Sequence, residues 1–281
     1  MSKMGKYNTI YIVSKGRPNC LTANTLINID YPGEWFIVCG DNDETIPEYI
    51  ERYGEDRIIV FDFQEAFEDC DMLDNLELTI PSGAVPAHNQ VQKISRDRGE
   101  LRHWQLDDDI TSFYIKHPIK RNNLKVDGNI LYKYFTEIAK YGYEANLSNV
   151  GFSTPVEGRP ETMYLKGTRV YNMHNFPSED DKYIKLRGRL CEDIIQPIDS
   201  LRNGRYSLAF RFLTFNMPVT ESLNGGNTDL YNRQGLERKA GYGVIVSPIG
   251  VKLSYNYDRL HHYINWNVIK PMVLDEKWKK D

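Results

Sequence analysis

Short apolar runs separated by polar turns set the rhythm of the chain. Thr9–Val13 is a β-branched run that breaks at Ser14-Lys15-Gly16-Arg17-Pro18-Asn19, and Leu21–Ile29 follows with the composition of a helix. Glu34–Gly40 repeats the pattern and ends in Asp41-Asn42-Asp43; a helical Pro47–Tyr53 and a third apolar run, Arg57–Phe61, come next. Strand, helix, strand, helix, strand at this pace predicts an α/β fold with a Rossmann-like, mostly parallel central sheet flanked by helices. Ligands of such sheets gather outside the carboxyl ends of the strands, which is where Ser14, Gly16, Arg17 and Asp41 fall. A glycine-bearing turn that opens onto a helix offers backbone N–H groups to phosphate, and Arg17 adds a cation.

Phe63–Thr79 mixes acids with Phe67, Met72, Leu73 and Leu76 and predicts a solvated helical face. Pro81–Pro86 opens a helix running to about Arg98. Within it Asn89, Gln92, Lys93 and Arg96 recur at i, i+3, i+4 and i+7, a single polar stripe. The next run, Leu101–Phe113, carries Trp104 and Leu106 straight into Asp107, Asp108 and Asp109. On a continuous strand Asp107 and Asp109 share one face, about 7 Å apart, and Asp108 takes the other. Two such carboxylates repel unless a cation lies between them, and hard oxygen ligands suit Mg²⁺ or Mn²⁺. Solvated acids at a strand end are the competing reading of the same three residues.

Beyond the aspartates, Lys116–Lys125 is basic, with Lys120 and Arg121 at its centre, and Gly128–Tyr141 reads as a helix. Val150–Ser153 and Val170–Met173 read as strands, Ile194–Arg202 as a helix headed by Glu192 and Asp193, and Tyr206–Phe215 as one alternating strand. Asn224–Asp229 is a small-residue loop around Gly225, Gly226 and Asn227, with Tyr231 just after it. Gly243–Pro248 and Val251–Tyr255 predict a final strand pair, ahead of His261 and His262. These later strands predict a smaller antiparallel sheet beside the parallel one.

Composition changes this picture little. With 281 residues, 41% of them hydrophobic and 12% aromatic, the chain can bury a sizeable core, and the net charge of −4 excludes a generally basic nucleic-acid binder. Cys20, Cys39, Cys70 and Cys191 lie far apart with no Cys-x-x-Cys pair, which favours reduced structural thiols. No apolar run approaches the roughly 20 residues of a membrane span, and Met1–Tyr7 lacks a signal's apolar stretch, so a cytoplasmic location with no membrane partner is expected.

In its order of parts the chain resembles GT-A glycosyltransferases, and more particularly the TET-associated glycosyltransferases of phage DNA modification. The likeness is carried by Ile10–Pro18, Gly83–Gly99, Trp104–Ile110, Glu192-Asp193 and Gly225–Asn232. It implies one GT-A domain over 1–281, with a nucleotide-sugar half to about 115 and an acceptor half from about 116. By the same resemblance Asp107 and Asp109 hold Mn²⁺ or Mg²⁺ on the diphosphate of a UDP-sugar, with Asp108 nearer the sugar or ribose or exchanging roles with a neighbour. One of His261 and His262 joins the metal. Ser14, Gly16, Arg17, Asp41, Asn89, Lys93 and Arg96 line the donor site. Asp193, beside Glu192, is the general base of an inverting transfer, and Gly225, Gly226, Asn227 and Tyr231 face the acceptor.

The implied acceptor is the hydroxyl of 5-hydroxymethylcytosine or another hydroxymethylpyrimidine in double-stranded DNA, and the implied location is a host cytoplasm if the chain is phage-encoded. A non-DNA acceptor and a two-metal nucleotidyl transfer are the alternatives that the aspartates leave open. If Lys120 and Arg121 contact phosphates, each alanine variant weakens duplex binding and lowers its log–log salt slope by about 1, measured by titration at several salt concentrations.

Overall fold

The computed structural model describes residues 7–76, 83–116, 123–152, 164–218, 239–256 and 259–269. The first apolar runs become β1 (Ile10–Val13), β2 (Trp35–Gly40) and β3 (Ile58–Phe61), which pair in parallel. Helices α1 (Leu21–Asn28) and α2 (Ile46–Tyr53) make the crossovers between them. Acidic Phe63–Glu68 forms α3, and Val85–Asp97, with Pro86 in its first turn, forms α4. Strand β4 (Arg102–Asp107) then pairs with β1 in parallel, with Val13 opposite Asp107.

The chain continues through β5 (Ser112–Lys116), β6 (Asn123–Lys125), α5 (Gly128–Glu144), β7 (Asn149–Phe152), β8 (Tyr164–Lys166) and β9 (Met173–Pro177). It then adds α6 (Glu192–Arg202), β10 (Ser207–Phe210), β11 (Leu213–Asn216), β12 (Val251–Asn256), β13 (Arg259–Ile264) and a short final helix, Trp266–Ile269. The central sheet has the order β3-β2-β1-β4-β9-β7-β10-β8. Smaller antiparallel sheets, β11-β5-β6 and β12-β13, lie beside it. This is the mostly parallel, helix-flanked arrangement with antiparallel additions expected of a GT-A fold.

Two expectations for the later strands change. Tyr206–Phe215 is not one strand: the chain bends at Arg211-Phe212, leaves the central sheet after β10 and joins β5 as β11. Residues 239–246 are helical instead of extended. There Tyr242 and Val246, four apart, bury against Ile194 and Ile198 of α6, a spacing that suits one helical face. The partner of β12 is therefore β13, the strand that carries both histidines.

Packing around Trp104 joins the sheet to α5. Its ring stacks on Phe135 with centroids 4.1 Å apart and on Phe152 at 5.6 Å, and its indole N–H donates to the Phe135 carbonyl at 3.3 Å. A Cβ on Gly151 would sit 2.1 Å from the Met173 carbonyl oxygen, so only glycine lets β7 lie this close to the start of β9. Arg102, 1% exposed, meets no carboxylate among the described residues. Its Nε and Nη2 donate to the side chain and carbonyl of Asn175 at 2.6 Å each, and Nη1 reaches the Leu147 carbonyl at 2.8 Å. It ties β4 to β9 and to the turn before β7.

Behind the sheet runs a buried polar seam. His88 Nδ1 lies 2.5 Å from Gln105 Oε1, Gln105 Nε2 lies 2.8 Å from His103 Nε2, and His103 Nδ1 lies 2.9 Å from Ser95 Oγ and 3.0 Å from Ser178 Oγ. Burial holds His88 at about 4 and His103 at about 3, and nearby Arg102 and His88 push His103 the same way. The unfolded chain takes up these protons near 6.5, well before the folded chain does. Stability from His103 is therefore complete above pH 6.5 and is lost as pH falls toward about 3. Urea titrations of wild type and His103→Gln across pH 7.5 to 4 should show the wild type losing ground to the variant below 6.5, by up to about 1.4 kcal/mol per pH unit.

Candidate active site

The three aspartates do not continue the strand. β4 ends at Asp107, and Asp108 and Asp109 form a turn. The N-terminus of α1 makes the turn: Thr22 Oγ1 donates to the Asp107 carbonyl at 2.6 Å, Thr22 N donates to the Asp108 carbonyl at 3.1 Å, and Ile110 N donates back to Thr22 Oγ1 at 2.9 Å. Three adjacent carboxylates thus point in different directions, and the strand-face pairing of Asp107 with Asp109 gives way to a turn.

Asp108 is turned toward the β1 corner. It is 6% exposed, accepts from Ser14 Oγ at 2.6 Å, and pairs with Arg17 Nη1 at 2.7 Å. Tyr49 closes this corner: its hydroxyl lies 2.7 Å from Ser14 Oγ and accepts from Arg17 N at 3.0 Å. Gly16, at φ +67, donates its N–H to Asp43 Oδ2 at 2.9 Å. The β2-end acid built into the corner is therefore Asp43, 5% exposed, which also accepts from Thr45. Asp41, the acid expected there from sequence, is exposed and accepts from Phe63 N at the start of α3. The Asp41-Asn42-Asp43 run held both; only the direction of the chain after β2 separates them.

Asp107 and Asp109 sit in a crowd of acids. Asn172 Nδ2 donates to Asp107 Oδ2 at 2.6 Å, and the Asn172 carbonyl accepts Asp107 N at 3.0 Å. Burial first, and then repulsion from Asp109, Asp108 and Glu192, holds the Asp107 carboxyl well above the usual carboxylate range. Asp109 is pushed up to about 6 by burial and by Asp108, against the pull of Arg17, and its Oδ1 is buried without a hydrogen-bond partner among the described residues. Glu192, at the first position of α6, is raised to about 7 by burial and by Asp193. The tip of β4 and the head of α6 therefore converge on one cleft.

Asp193 is ion-paired through Oδ2 to Arg169 Nη2. His262 lies in the same electrostatic neighbourhood: burial, then Arg169, with Lys239 and His261 adding to it, lowers its pKa to about 4 against the pull of Asp193. His261 precedes it on β13 opposite Ser254, while His262 sits opposite Leu253, so the two rings leave on opposite faces. Among the described residues no three His, Cys, Asp or Glu side chains are disposed to hold a metal by themselves, so neither histidine is brought together with Asp107 and Asp109 as a ligand set. The two aspartates still fit a hard divalent ion. Their repulsion and the orphaned Asp109 oxygen are what a bound cation would relieve.

The α4 stripe has other partners. Asn89 accepts from Leu186 N at 2.9 Å and from Tyr183 Oη at 3.0 Å, Lys93 meets Glu65 of α3 at 3.3 Å, and Arg96 pairs with Asp180 at 2.5 Å. These three expected donor-site residues instead tie α4 to α3 and to residues 180–186. Lys120, Arg121, Gly225, Gly226, Asn227 and Tyr231 lie outside the described residues. Sequence reasoning missed Asp43, Tyr49, Arg169 and Asn172. Of these only Asp43 carried a local signal, as the second acid of the run that begins at Asp41.

Residues 8–216, a span that includes β1, the aspartate turn and the Glu192-Asp193 pair, match the family model described as TET-Associated Glycosyltransferase. The chain belongs to this family. No curated protein matches it. Membership in the TET-associated glycosyltransferases makes the chain a glycosyltransferase. No helix of the described residues is long and apolar enough to cross a membrane.

The corner predicts a ranking of stabilities. Asp108→Ala removes the carboxylate that pairs with Arg17 and accepts from Ser14 and should cost about 3 kcal/mol, near the lower end for a broken buried ion pair because Arg17 keeps some solvent. Asp41→Ala removes one exposed cap and should cost about 1 kcal/mol or less. Chemical denaturation of the two variants checks the order.

Proposed function

We propose that this TET-associated glycosyltransferase moves a sugar from a nucleoside diphosphate sugar, a UDP-sugar, to the hydroxyl of 5-hydroxymethylcytosine or a related hydroxymethylpyrimidine in double-stranded DNA, with inversion at the anomeric carbon. The reading rests on one observation: residues 167–172 hold Asp193 through Arg169 and Asp107 through Asn172, so the acids of α6 and of β4 stand near one another. An acid pair on each side of one cleft suits a reaction that must neutralise a leaving diphosphate and accept a proton together.

In this reading Asp107 and Asp109 hold Mn²⁺ or Mg²⁺, which when bound supplies charge neutralisation to the departing diphosphate. Ser14, Gly16 and Arg17 form the nucleotide corner, kept rigid by Asp108, Asp43 and Tyr49. Asp193 takes the proton of the acceptor hydroxyl as its oxygen attacks the anomeric carbon, and the nucleoside diphosphate leaves from the opposite face. Glu192 stays beside it at the head of α6. Gly225, Gly226, Asn227, Tyr231, Lys120 and Arg121 are assigned to the acceptor duplex on sequence alone. The sugar is a hexose or a pentose.

The test is incubation with a panel of nucleotide sugars, Mn²⁺ and a hydroxymethylcytosine duplex, reading the modified nucleoside by mass and the released nucleoside diphosphate by chromatography. One diphosphate per sugar transferred is the expected result. Glycosylation of a protein or small-molecule hydroxyl, with the duplex untouched, would overturn the acceptor assignment. Asp109→Asn should lower kcat by about 10²–10³-fold while leaving the fold intact.

A further inference from the structure

We infer that Arg169 is a positioning residue for the general base, and that residues 167–172 act as a strap holding one carboxylate from each side of the cleft. The inference rests on the assignment of Asp193 as the base.

The strap lies between β8 and β9. Arg169 reaches the Asp193 carboxylate at the head of α6, and three residues later Asn172 takes Asp107 at the tip of β4 through both its side-chain amide and its backbone carbonyl. Asn172 does this at φ +50, the left-handed region, which turns the backbone into β9 while its amide stays aimed at Asp107. One short segment thus sets the separation of the acid pairs on which the proposed chemistry depends.

Arg169 is built differently from the arginines that hold the fold. Arg102 places Nε, Nη1 and Nη2 on carbonyl or amide oxygens, and Arg189 places Nε and Nη2 on Asp74 at 2.8 and 3.0 Å. Arg169 has its Nε buried with no hydrogen-bond partner among the described residues, while its guanidinium lies over the Tyr171 ring at 4.0 Å and its Nη2 is spent on Asp193. An unsatisfied buried donor costs stability, and stacking on Tyr171 fixes the guanidinium plane with Nη2 toward the carboxylate. The contact grips the Asp193 carboxylate from the guanidinium side. A carboxylate held by a guanidinium of fixed plane presents its remaining lone pairs in a fixed direction, the alignment a base needs to meet an incoming hydroxyl. A lysine ammonium, a point charge on a flexible stem, cannot fix that plane as a stacked guanidinium does.

Arg169→Lys and Arg169→Gln are compared with the wild type for kcat and donor KM. The assays are transfer to the hydroxymethylcytosine duplex and, without acceptor, release of nucleoside diphosphate by transfer to water, each with the donor panel and Mn²⁺. Thermal melting verifies that each variant is folded, with Lys retained as the conservative form if Gln is not. The inference expects a fall in kcat of about 10²-fold for Gln and less for Lys, donor KM within about 3-fold of wild type, and partial recovery of Gln by added guanidinium ion. Folded variants with wild-type kcat would overturn it, as would a loss confined to donor KM, which would make Arg169 a diphosphate contact. If the wild type transfers only to water, the DNA acceptor falls and the Arg169 comparison is read from that assay. No release by the wild type in either assay overturns both.

Discussion

Repulsion among carboxylates crowded at the end of one strand is the constraint around which this molecule is arranged. Asp107, Asp108 and Asp109 leave the sheet together and Glu192 faces them, so each makes the ionised form of its neighbours costlier. The chain keeps them there by dividing them. Asp108 is drawn into the β1 corner by Ser14 and Arg17, while Asp107 is held by Asn172 from the β9 side. What remains is a pair, Asp107 and Asp109, whose carboxyls stay raised despite Asn172 on the one and the pull of Arg17 on the other. A fold that spends stability on unbalanced charge in a cleft commonly does so for a ligand.

The rest of the fold can be seen as support for that division. The N-terminus of α1 wraps the aspartate turn through Thr22, so the helix that follows the β1 corner also sets the direction of the acids. Beneath them Trp104, stacked between Phe135 and Phe152, and Arg102, saturated with carbonyl and amide acceptors, anchor β4 from its middle to its start. Behind the sheet the seam of His88, Gln105 and His103 locks α4 to the same strand with hydrogen bonds that have a single register. A strand held at so many points can carry charge at its tip without moving to relieve it.

The cleft has two sides that the chain reaches by different routes. The aspartates arrive from a parallel strand of the central sheet. The Glu192-Asp193 pair arrives at the head of a helix whose other face belongs to a second apolar cluster, with Tyr242, Val246 and Val251. The strap of residues 167–172 spans them, and β13 brings His262 to the same edge. The geometry of the cleft is therefore a matter of how two cores sit against one another, with the strap as their direct polar link.

Much of this was legible in the sequence. Local apolar period and turn chemistry gave β1 to β3 and their helices, and the abrupt entry of an apolar run into three acids marked the tip of β4, because such signals depend only on neighbours along the chain. The order of short motifs pointed to the glycosyltransferase family for the same reason. Tertiary structure alone decided which acids do what. Asp43 rather than Asp41 enters the corner because the backbone turns after Gly40. Asn89, Lys93 and Arg96 look away from the aspartates because α4 lays its buried side on β4. Residues 239–246 coil because α6 offers Tyr242 and Val246 a surface to bury against. Arg169 and Asn172 become partners of Asp193 and Asp107 through contacts 24 and 65 residues apart, and no local pattern encodes a contact that exists only once the sheet has closed.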